Sequence, residues 1–352
     1  SKYTWEYSGV QTIMTNIWAK GYNVIANCNN IIQEISKKDT SFFEFGSMEK
    51  NMILGEMYGI RAMMHFDLLR LFAPAPVTNP TGLAMPYVTT YPDHQPEHKS
   101  VNDVLASIIA DMEKAKGILA PVDTIFCLSW NQSTSGRIYQ SSSYSSAPPN
   151  DFVSYRGMRM NYCAVLGMLA RVYLYKGDKE RAYQYAWEFY NKFVFGKKWF
   201  KYNDPYDFTD DLTYRCKKHL SDCLFAFYNF DLLDNYADYT VYWGDPMMIQ
   251  GVDEIFENDG DDYRKNYLLE KKEDWETTYT SLKYRRVNSF SIDSGEGRVL
   301  PNLRMSEIYY ILIECLYEKD QAKAFELLTL CAGGCESHPR AFCGSQYLLR
   351  HP

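Results

Sequence analysis

The sequence lacks the features that mark membrane-spanning proteins and most enzymes. No apolar run approaches the roughly 18 residues that a helix needs to cross a bilayer. A Gly-x-Ser-x-Gly nucleophile turn, a phosphate-binding glycine loop and a dinucleotide-binding fingerprint are also missing. Because no nucleophile–base pair or cofactor loop can be assembled from the residues, we expect a protein that is not an enzyme and binds no cofactor.

Excess positive charge and a disulfide framework are missing as well. The 352 residues include 37 Lys and Arg against 44 Asp and Glu, which gives a net charge of −7. Such a chain offers no extended phosphate-binding surface, so we exclude nucleic acid as a partner. The nine cysteines are odd in number and scattered, which is not the pattern of a disulfide-stapled fold.

Three short segments contain residues that can bind metals, and each has a simpler explanation. His94 and His98 have the spacing of helical zinc ligands, but the two prolines around them disfavour a helix. The acidic turn 259–262 lacks the alternating ligands and closing Glu of a calcium loop. The segment 331–343 contains three Cys and one His, but in no standard zinc-site spacing. We therefore expect no bound metal.

Aromatic residues are abundant: 30 Tyr, 19 Phe and 7 Trp make up 16% of the chain. Core packing explains most of them. Tyr, however, carries a hydroxyl that prefers water or a hydrogen-bond partner. The surplus of Tyr over Phe therefore indicates wet surface that faces a ligand or a partner.

Helical periodicity is the main structural signal. Ser47 and Ser100 are the expected caps of the second and third helices, and Asp103 completes a capping box with Ser100. We predict a proline-rich extended connection over 74–96 and a loop over 123–157. Irregular chain with a few short strands is expected over about 197–300. The predicted helices are 11–36, 47–73, 100–119, 158–176, 179–193 and 303–330.

An internal repeat relates two parts of the chain at an offset of 142 residues. The spacing Leu-x3-Tyr-x3-Gly-x4-Ala, over residues 169–182, is similar to the tetratricopeptide helix hairpin, with Gly177 ending one helix and Asp178 capping the next. The tandem period of a true repeat array is absent, so the hairpins belong to a larger domain. The matching residues are Leu169, Tyr175, Asp178 and Ala182 with Ile311, Tyr317, Asp320 and Ala324.

Four segments form a recognisable series along the chain. In order, they are Trp18-x3-Tyr22-x2-Ile25-Ala26-Asn27-x2-Asn30-Ile31-Ile32-x2-Ile35, Gly55-Glu56-x4-Arg61-Ala62-x3-Phe66-x2-Leu69-x2-Phe72-x3-Pro76, Ala170-Arg171-Val172-Tyr173-Leu174-Tyr175-x-Gly177-Asp178 and Arg304-x2-Glu307-Ile308-Tyr309. Together they resemble the SusD/RagB family of outer-membrane nutrient-binding lipoproteins from Bacteroidetes. No catalytic signature competes with this resemblance, which spans most of the chain.

The resemblance implies a mainly α, SusD-like fold with tetratricopeptide-like helix pairs and a long irregular insertion. We expect one domain over 1–352. Its helical scaffold would comprise 11–193 and 303–330, and its insertion about 197–300. The tail 331–352 departs from the family pattern, and we expect it to add little to ligand binding.

For function, the resemblance implies a surface-exposed lipoprotein of the outer membrane. Such a protein captures an oligosaccharide and passes it to a SusC-like TonB-dependent transporter. The export signal and acylated cysteine of family members are not in this sequence. The N-terminal lipid anchor, the only membrane contact that we expect, is therefore implied by the resemblance alone.

Ligand residues of this family lie in variable loops, so none can be transferred by alignment. A sugar receptor needs flat aromatic faces for the C–H surfaces of the ring and polar groups for its hydroxyls. Trp5 and Trp243 are the preferred platforms. The candidate carbohydrate-binding residues are Trp5, Tyr7, Trp130, Tyr239, Tyr242, Trp243 and Trp275.

Two other functions stay open at this point. One is a tetratricopeptide-like module that binds peptides or proteins, and the other is an α-helical glycoside hydrolase. Glu56 and Arg61 stand out among the charged residues, and Arg61 is expected to brace the helix pair through carbonyls or a carboxylate. His65 is expected to be a core or groove histidine.

Overall fold

A computed structural model describes residues 8–139, 148–202, 218–240, 248–256, 262–273, 277–284 and 295–335. The helices are α1 Ser8–Ser36, α2 Gly46–Phe72, α3 Val101–Pro121, α4 Leu128–Asn131, α5 Tyr162–Lys176, α6 Lys179–Phe189, α7 Leu232–Thr240, α8 Val252–Ile255, α9 Tyr263–Leu268, α10 Met305–Leu316 and α11 Gln321–Cys335. The strands are β1 Leu83–Pro86, β2 His98–Ser100, β3 Cys223–Tyr228, β4 Met248–Ile249, β5 Leu269–Glu273, β6 Thr277–Ser281 and β7 Val299–Arg304. The mainly α prediction is confirmed.

The scaffold is a series of helices in which each packs on its neighbours along the chain. Helix α2 packs against both α1 and α3, and α3 also packs against α5. Two glycines of α2 permit this close approach. A Cβ on Gly55 would lie 2.6 Å from Leu119 Cγ, and one on Gly59 would lie 2.5 Å from Met160 Cγ. The core that results contains fully buried side chains from α2, α3, α5 and α6.

One of the two predicted caps is confirmed and the other is wrong. Ser100 Oγ accepts a hydrogen bond from the Asp103 amide at 3.2 Å and donates one to the Asp103 carboxylate at 2.6 Å. Ser47 lies inside α2, which begins at Gly46 without a side-chain cap. The Glu49 carboxylate accepts the Phe45 amide hydrogen there instead, at 3.0 Å. The helix therefore needs no serine cap at its start.

Two helix hairpins, α5–α6 and α10–α11, have the predicted tetratricopeptide-like form. Gly177 ends α5 in the left-handed conformation with φ 87°, and Asp178 accepts the Arg181 amide hydrogen at 3.1 Å. Asp320 repeats this role by accepting the Lys323 amide hydrogen at 3.0 Å. The predicted single helix over 303–330 is therefore two helices. Helix α6 packs against α10, which joins the two hairpins side by side.

The prediction of a loop over 123–157 is wrong for much of that segment. Its described part contains α4 and four short helical turns, and it is partly buried. Arg137 is 2% exposed; its Nη1 donates to the carbonyls of Asn131 and Trp199, both at 3.0 Å, and burial lowers its pKa to about 10. The turns are Val122–Phe126, Ser135–Tyr139, Asp151–Val153 and Arg156–Met158.

The insertion contains the short strands that were predicted. Strands β4 and β5 both pair with β6 in an antiparallel sheet. Strand β3 pairs antiparallel with β7, which leads directly into α10 and so returns the chain to the scaffold. Helix α11 continues five residues beyond the predicted end at residue 330, and Cys331 is buried. No helix in the described part of the chain has the length and apolar character to span a membrane.

Candidate functional site

Arg61, in the second of the four segments that carry the family resemblance, has a structural role. Arg61 donates from Nε and Nη2 to the two carboxylate oxygens of Asp111, each at 2.7 Å, and from Nη1 to Asn29 Oδ1 at 2.8 Å. The Tyr87 hydroxyl donates to the same carboxylate. All four side chains are buried. The predicted bracing role of Arg61 is confirmed, because this network joins α1, α2, α3 and the connection after β1.

His65 is a core histidine, one of its two expected roles. Its Nε2 accepts the Val88 amide hydrogen at 3.0 Å, so Nδ1 carries the proton and donates to the Arg61 carbonyl at 2.8 Å. The ring stacks on Tyr87, with centroids 3.9 Å apart. Burial lowers the pKa of His65 to about 3. The neutral imidazole therefore ties the connection after β1 to α2.

A second buried network surrounds Glu56. Arg156 donates from Nε to Asp123 Oδ1 at 2.7 Å and from Nη1 to Glu56. Arg159 donates to the other Glu56 oxygen at 2.8 Å, and the Tyr162 amide donates to Asp123 Oδ2 at 2.7 Å. Two carboxylates thus face two guanidinium groups where α2 meets the segment before α5. This arrangement holds helices together and presents no charge to a ligand.

The described part of the insertion contains a cleft of about 350 Å³, a volume within the range of small-molecule sites. It is formed where β4 pairs with β6 and the chain turns at Gly251, which has φ 66°. Residues of β4, α8 and β6 line it, and they include hydroxyl, amide and carboxylate side chains, whereas Tyr279 is only 7% exposed. The lining residues are Met248, Ile249, Gln250, Gly251, Val252, Asp253, Glu254, Thr277, Thr278 and Tyr279.

Asp253 is the best-held polar group of the cleft. Its Oδ1 accepts hydrogen bonds from Lys265 Nζ at 2.8 Å and from the Tyr279 hydroxyl at 3.3 Å. The hydrogen bond from the Lys265 ammonium lowers the pKa of Asp253. A glycosidase general acid needs a raised pKa, so Asp253 suits a hydrogen-bond acceptor for ligand hydroxyls and not a proton donor.

Only one of the predicted platform residues has a described side chain. Trp130 is 8% exposed and packs with Met52, Val122 and Val153 in a small apolar cluster. This burial argues against a role for Trp130 as an exposed platform. For Tyr239 the structure describes only the backbone, in α7. The predicted residues that lie outside the described residues are Trp5, Tyr7, Tyr242, Trp243 and Trp275.

The cleft residues themselves were not predicted from the sequence. The available signal was their position in the chain, because Trp243 precedes β4 by five residues and Trp275 precedes β6 by two. The preferred platform Trp243 and the candidate Trp275 are therefore close in sequence to residues of the cleft. Its carboxylates and threonines have no spacing that sequence inspection recognises.

Metal ligands do not cluster within the described ranges, where no three His, Cys, Asp or Glu side chains lie close enough to hold an ion. Asp262 caps α9 and pairs with Arg264 at 2.6 Å. His98 lies in β2, with Nδ1 3.1 Å from the Ala84 carbonyl oxygen. The Cys and His residues beyond Cys335 lie outside the described residues.

The fold is helical, with tetratricopeptide-like hairpins and a long insertion. Residues 1–129 match a SusD-like family model, described as starch-binding and associating with the outer membrane. A comparison with curated protein sequences gives no match. The N-terminal third of the chain is thus similar to that family, and the fold is similar to that of SusD superfamily structures.

Several solved structures have a fold similar to that of this protein over nearly its whole chain. A SusD superfamily protein from Bacteroides vulgatus matches with a TM-score of 0.65 and 19% identity, over 94% of this chain and 70% of its own. A SusD-like carbohydrate-binding protein from the same species matches with a TM-score of 0.63 and 18% identity, over 93% and 64%. A laminarin-binding SusD-like protein matches with a TM-score of 0.60 and 15% identity, over 91% and 70%. The chain thus spans about two thirds of the length of these structures.

Proposed function

We propose that this protein binds an oligosaccharide without transforming it, at the cleft between β4, α8 and β6. The observation that carries the proposal is the lining of that cleft, which includes Thr, Gln, Asp and Glu residues and the half-exposed apolar Met248. Sugar hydroxyls need such donors and acceptors, and sugar C–H faces need an aromatic or apolar wall. The binding of laminarin by a protein of the same fold supports this ligand class.

Aromatic residues outside the described part of the chain are also proposed as ligand contacts. Trp243 stays the preferred platform from the insertion and Trp5 the preferred one from the N-terminal segment. Both are proposals, supported by the need of a sugar ring for a rigid, flat apolar face. Tyr7, Tyr239, Tyr242 and Trp275 are secondary candidates. Trp130 is not proposed, because its ring is buried.

The biological role proposed is nutrient capture at the cell surface. The family description associates such proteins with the outer membrane. We propose that a lipid anchor holds this protein there and that it delivers its ligand to a SusC-like TonB-dependent transporter. Co-expression with a SusC-like transporter from the same genome, followed by purification of either protein, tests the partnership. Failure of the two to co-purify would argue against it.

Isothermal titration calorimetry with oligosaccharides from laminarin, starch and xyloglucan tests ligand binding. Trp243→Ala and Trp5→Ala should each weaken binding about tenfold to a hundredfold, the effect of removing about 1–3 kcal/mol of contact from a shallow site. Phe195→Ala is the matched control, because Phe195 is 70% exposed and lies outside the cleft. Normal binding by both Trp variants would place the site elsewhere.

The absence of catalysis needs its own measurement. Incubation of each oligosaccharide with the protein should release no new reducing ends. If hydrolysis occurs and disappears in Asp253→Asn or Glu254→Gln, the protein is a glycoside hydrolase, and the binding-only proposal is wrong.

A further inference from the structure

The cleft lining contains acidic but no basic side chains, although most of the charged groups around it form ion pairs. Two acidic side chains, Asp253 and Glu254, belong to the lining, which contains no Lys or Arg. Lys265 pairs with Asp253 at 2.8 Å, and its side chain is only 15% exposed. Lys271, on β5, pairs with Glu273. Both of these ammonium groups are therefore already matched by a carboxylate, whereas Lys272, the register partner of Thr278 on β5, forms no ion pair with a described residue.

Glu254 is the other charged residue of the lining, and no ion pair within the described residues accounts for it. Its side chain is exposed, and it forms no ion pair with any described residue. A Cβ built on Gly251 would lie 3.7 Å from Glu254 Oε2, so the carboxylate folds over the turn that forms the cleft. Glu254 thus adds to the lining one negative charge that no described residue pairs with.

Neutral hydrogen-bonding groups make up the rest of the polar lining. The neutral polar residues of the lining include Thr277 and Thr278, which have hydroxyl groups, and Gln250, which has an amide. Each of these groups both donates and accepts, as a sugar hydroxyl does. A carboxylate only accepts, so Glu254 binds hydroxyl donors well and has no hydrogen bond to offer another carboxylate or a sulfate.

We infer that Glu254 makes the cleft selective for uncharged oligosaccharides and excludes glycans that contain uronic acid or sulfate groups. The inference rests on the proposed function and names the substrate class of the same site. A ligand carboxylate about 6 Å from Glu254 would lose about threefold to a hundredfold in affinity, depending on how strongly solvent screens the pair. An uncharged sugar hydroxyl at the same place would gain a charge-assisted hydrogen bond.

The experiment compares ligands that differ only in charge. Oligosaccharides from laminarin, starch and xyloglucan are each prepared unmodified and oxidised to carboxylates at C6. Alginate, polygalacturonate and chondroitin sulfate oligosaccharides complete the panel. We expect at least one unmodified glycan to bind, its carboxylated form to bind at least about threefold more weakly, and the three acidic glycans not to bind.

Two variants separate a local charge effect from a general one. Glu254→Gln keeps the size of the side chain and removes its charge, so it should reduce the preference for the uncharged ligand. Glu326→Gln changes the net charge equally on the exposed side of α11, outside the lining, and should leave the preference unchanged. Raising the salt concentration from about 50 mM to about 500 mM should also narrow the preference in the parent protein.

The outcomes distinguish the inference from the function on which it rests. If the protein binds an acidic glycan, or if Glu254→Gln leaves the preference unchanged, the inference is wrong while glycan binding stands. If no member of the panel binds, the proposed function fails and the inference fails with it. A preference that both Gln variants reduce equally would indicate the overall charge of the protein and would also overturn the role of Glu254.

Discussion

Replacement of Asp123 by Ala tests whether the network around Glu56 stabilises the fold. Asp123 is 1% exposed and accepts hydrogen bonds from Arg156 Nε at 2.7 Å, from the Tyr162 amide at 2.7 Å and from Asn131 Nδ2 at 3.3 Å. The substitution leaves the fully buried Arg156 with Glu56 as its carboxylate partner. It also leaves the first amide of α5 without its acceptor.

The cost can be estimated from these contacts. Removal of one partner from a buried ion pair typically costs about 3–5 kcal/mol, because the charge that remains is no longer compensated. For a chain of 352 residues, an unfolding entropy of about 2.1 cal/mol/K per residue amounts to about 0.7 kcal/mol/K. The melting temperature of Asp123→Ala should therefore fall by about 4–7 °C.

Differential scanning calorimetry measures this shift, and Glu34→Ala is the control. Glu34 pairs with Lys37 at 2.7 Å on the surface of α1, with 54% of its side chain exposed. Exposed pairs of this kind contribute at most about 1 kcal/mol, so the control should melt within about 1.5 °C of the parent protein. Should Asp123→Ala melt as close to the parent as the control does, the network has no stabilising role and the reasoning is refuted.

Three further predictions concern stability. Burial holds the pKa of His65 near 3, so its neutral form stabilises the fold above pH 6.5 and this contribution is lost as the pH falls. Lowering the pH from 7 to 5 should therefore reduce the free energy of unfolding by about 2 kcal/mol through His65. In calorimetry this loss should be absent from His65→Gln and present in the exposed His94→Gln. Gly59→Ala should lower the melting temperature, because the new Cβ would overlap Met160. Gly117→Ala has nothing within 4 Å of the new Cβ, so it should stabilise the fold by up to about 1 kcal/mol and raise the melting temperature. Melting temperatures that shift in the same direction for both variants would contradict this packing. Trp130→Ala should destabilise the protein by about 3–5 kcal/mol in the same assay and leave glycan affinity unchanged. If the variant instead binds glycan more weakly and keeps the stability of the parent protein, Trp130 is a ligand residue.

Most of the scaffold was predictable from the sequence because its signals are local. A cap requires only a residue and the amide three positions later, so Asp178 was recognised as a helix start. The internal repeat aligned Asp320 with Asp178, but the single helix predicted over 303–330 missed the cap that Asp320 forms. Periodicity likewise depends on neighbours three and four positions apart, which is why α1, α2 and α3 begin within three residues of their predicted starts. The bracing role of Arg61 followed from the same logic.

The errors have both local and non-local causes. Ser47 has the chemistry of a cap, but the chain enters α2 at a glycine with φ 56° and places Ser47 inside the helix. The segment after α3 looks like a loop by composition, yet Asp123 and Arg156 tie it into the interior. Trp130 lies in that segment and is buried against Met52 and Val153. The last two outcomes depend on residues far away in sequence.

The cleft could not be predicted from the sequence, for a related reason. It lies on two short strands and a turn, where no periodic pattern marks which side chains face a ligand. Scaffold and cleft also depend on different charges: Arg61, Asp111 and Arg156 are buried against carboxylate or guanidinium partners, whereas Glu254 is exposed and unpaired within the described chain. Substitutions in the scaffold should therefore change melting temperature and leave affinity intact, and substitutions of Glu254 should do the reverse. A fold held by internal ion pairs leaves its loops free to vary in ligand chemistry without loss of stability.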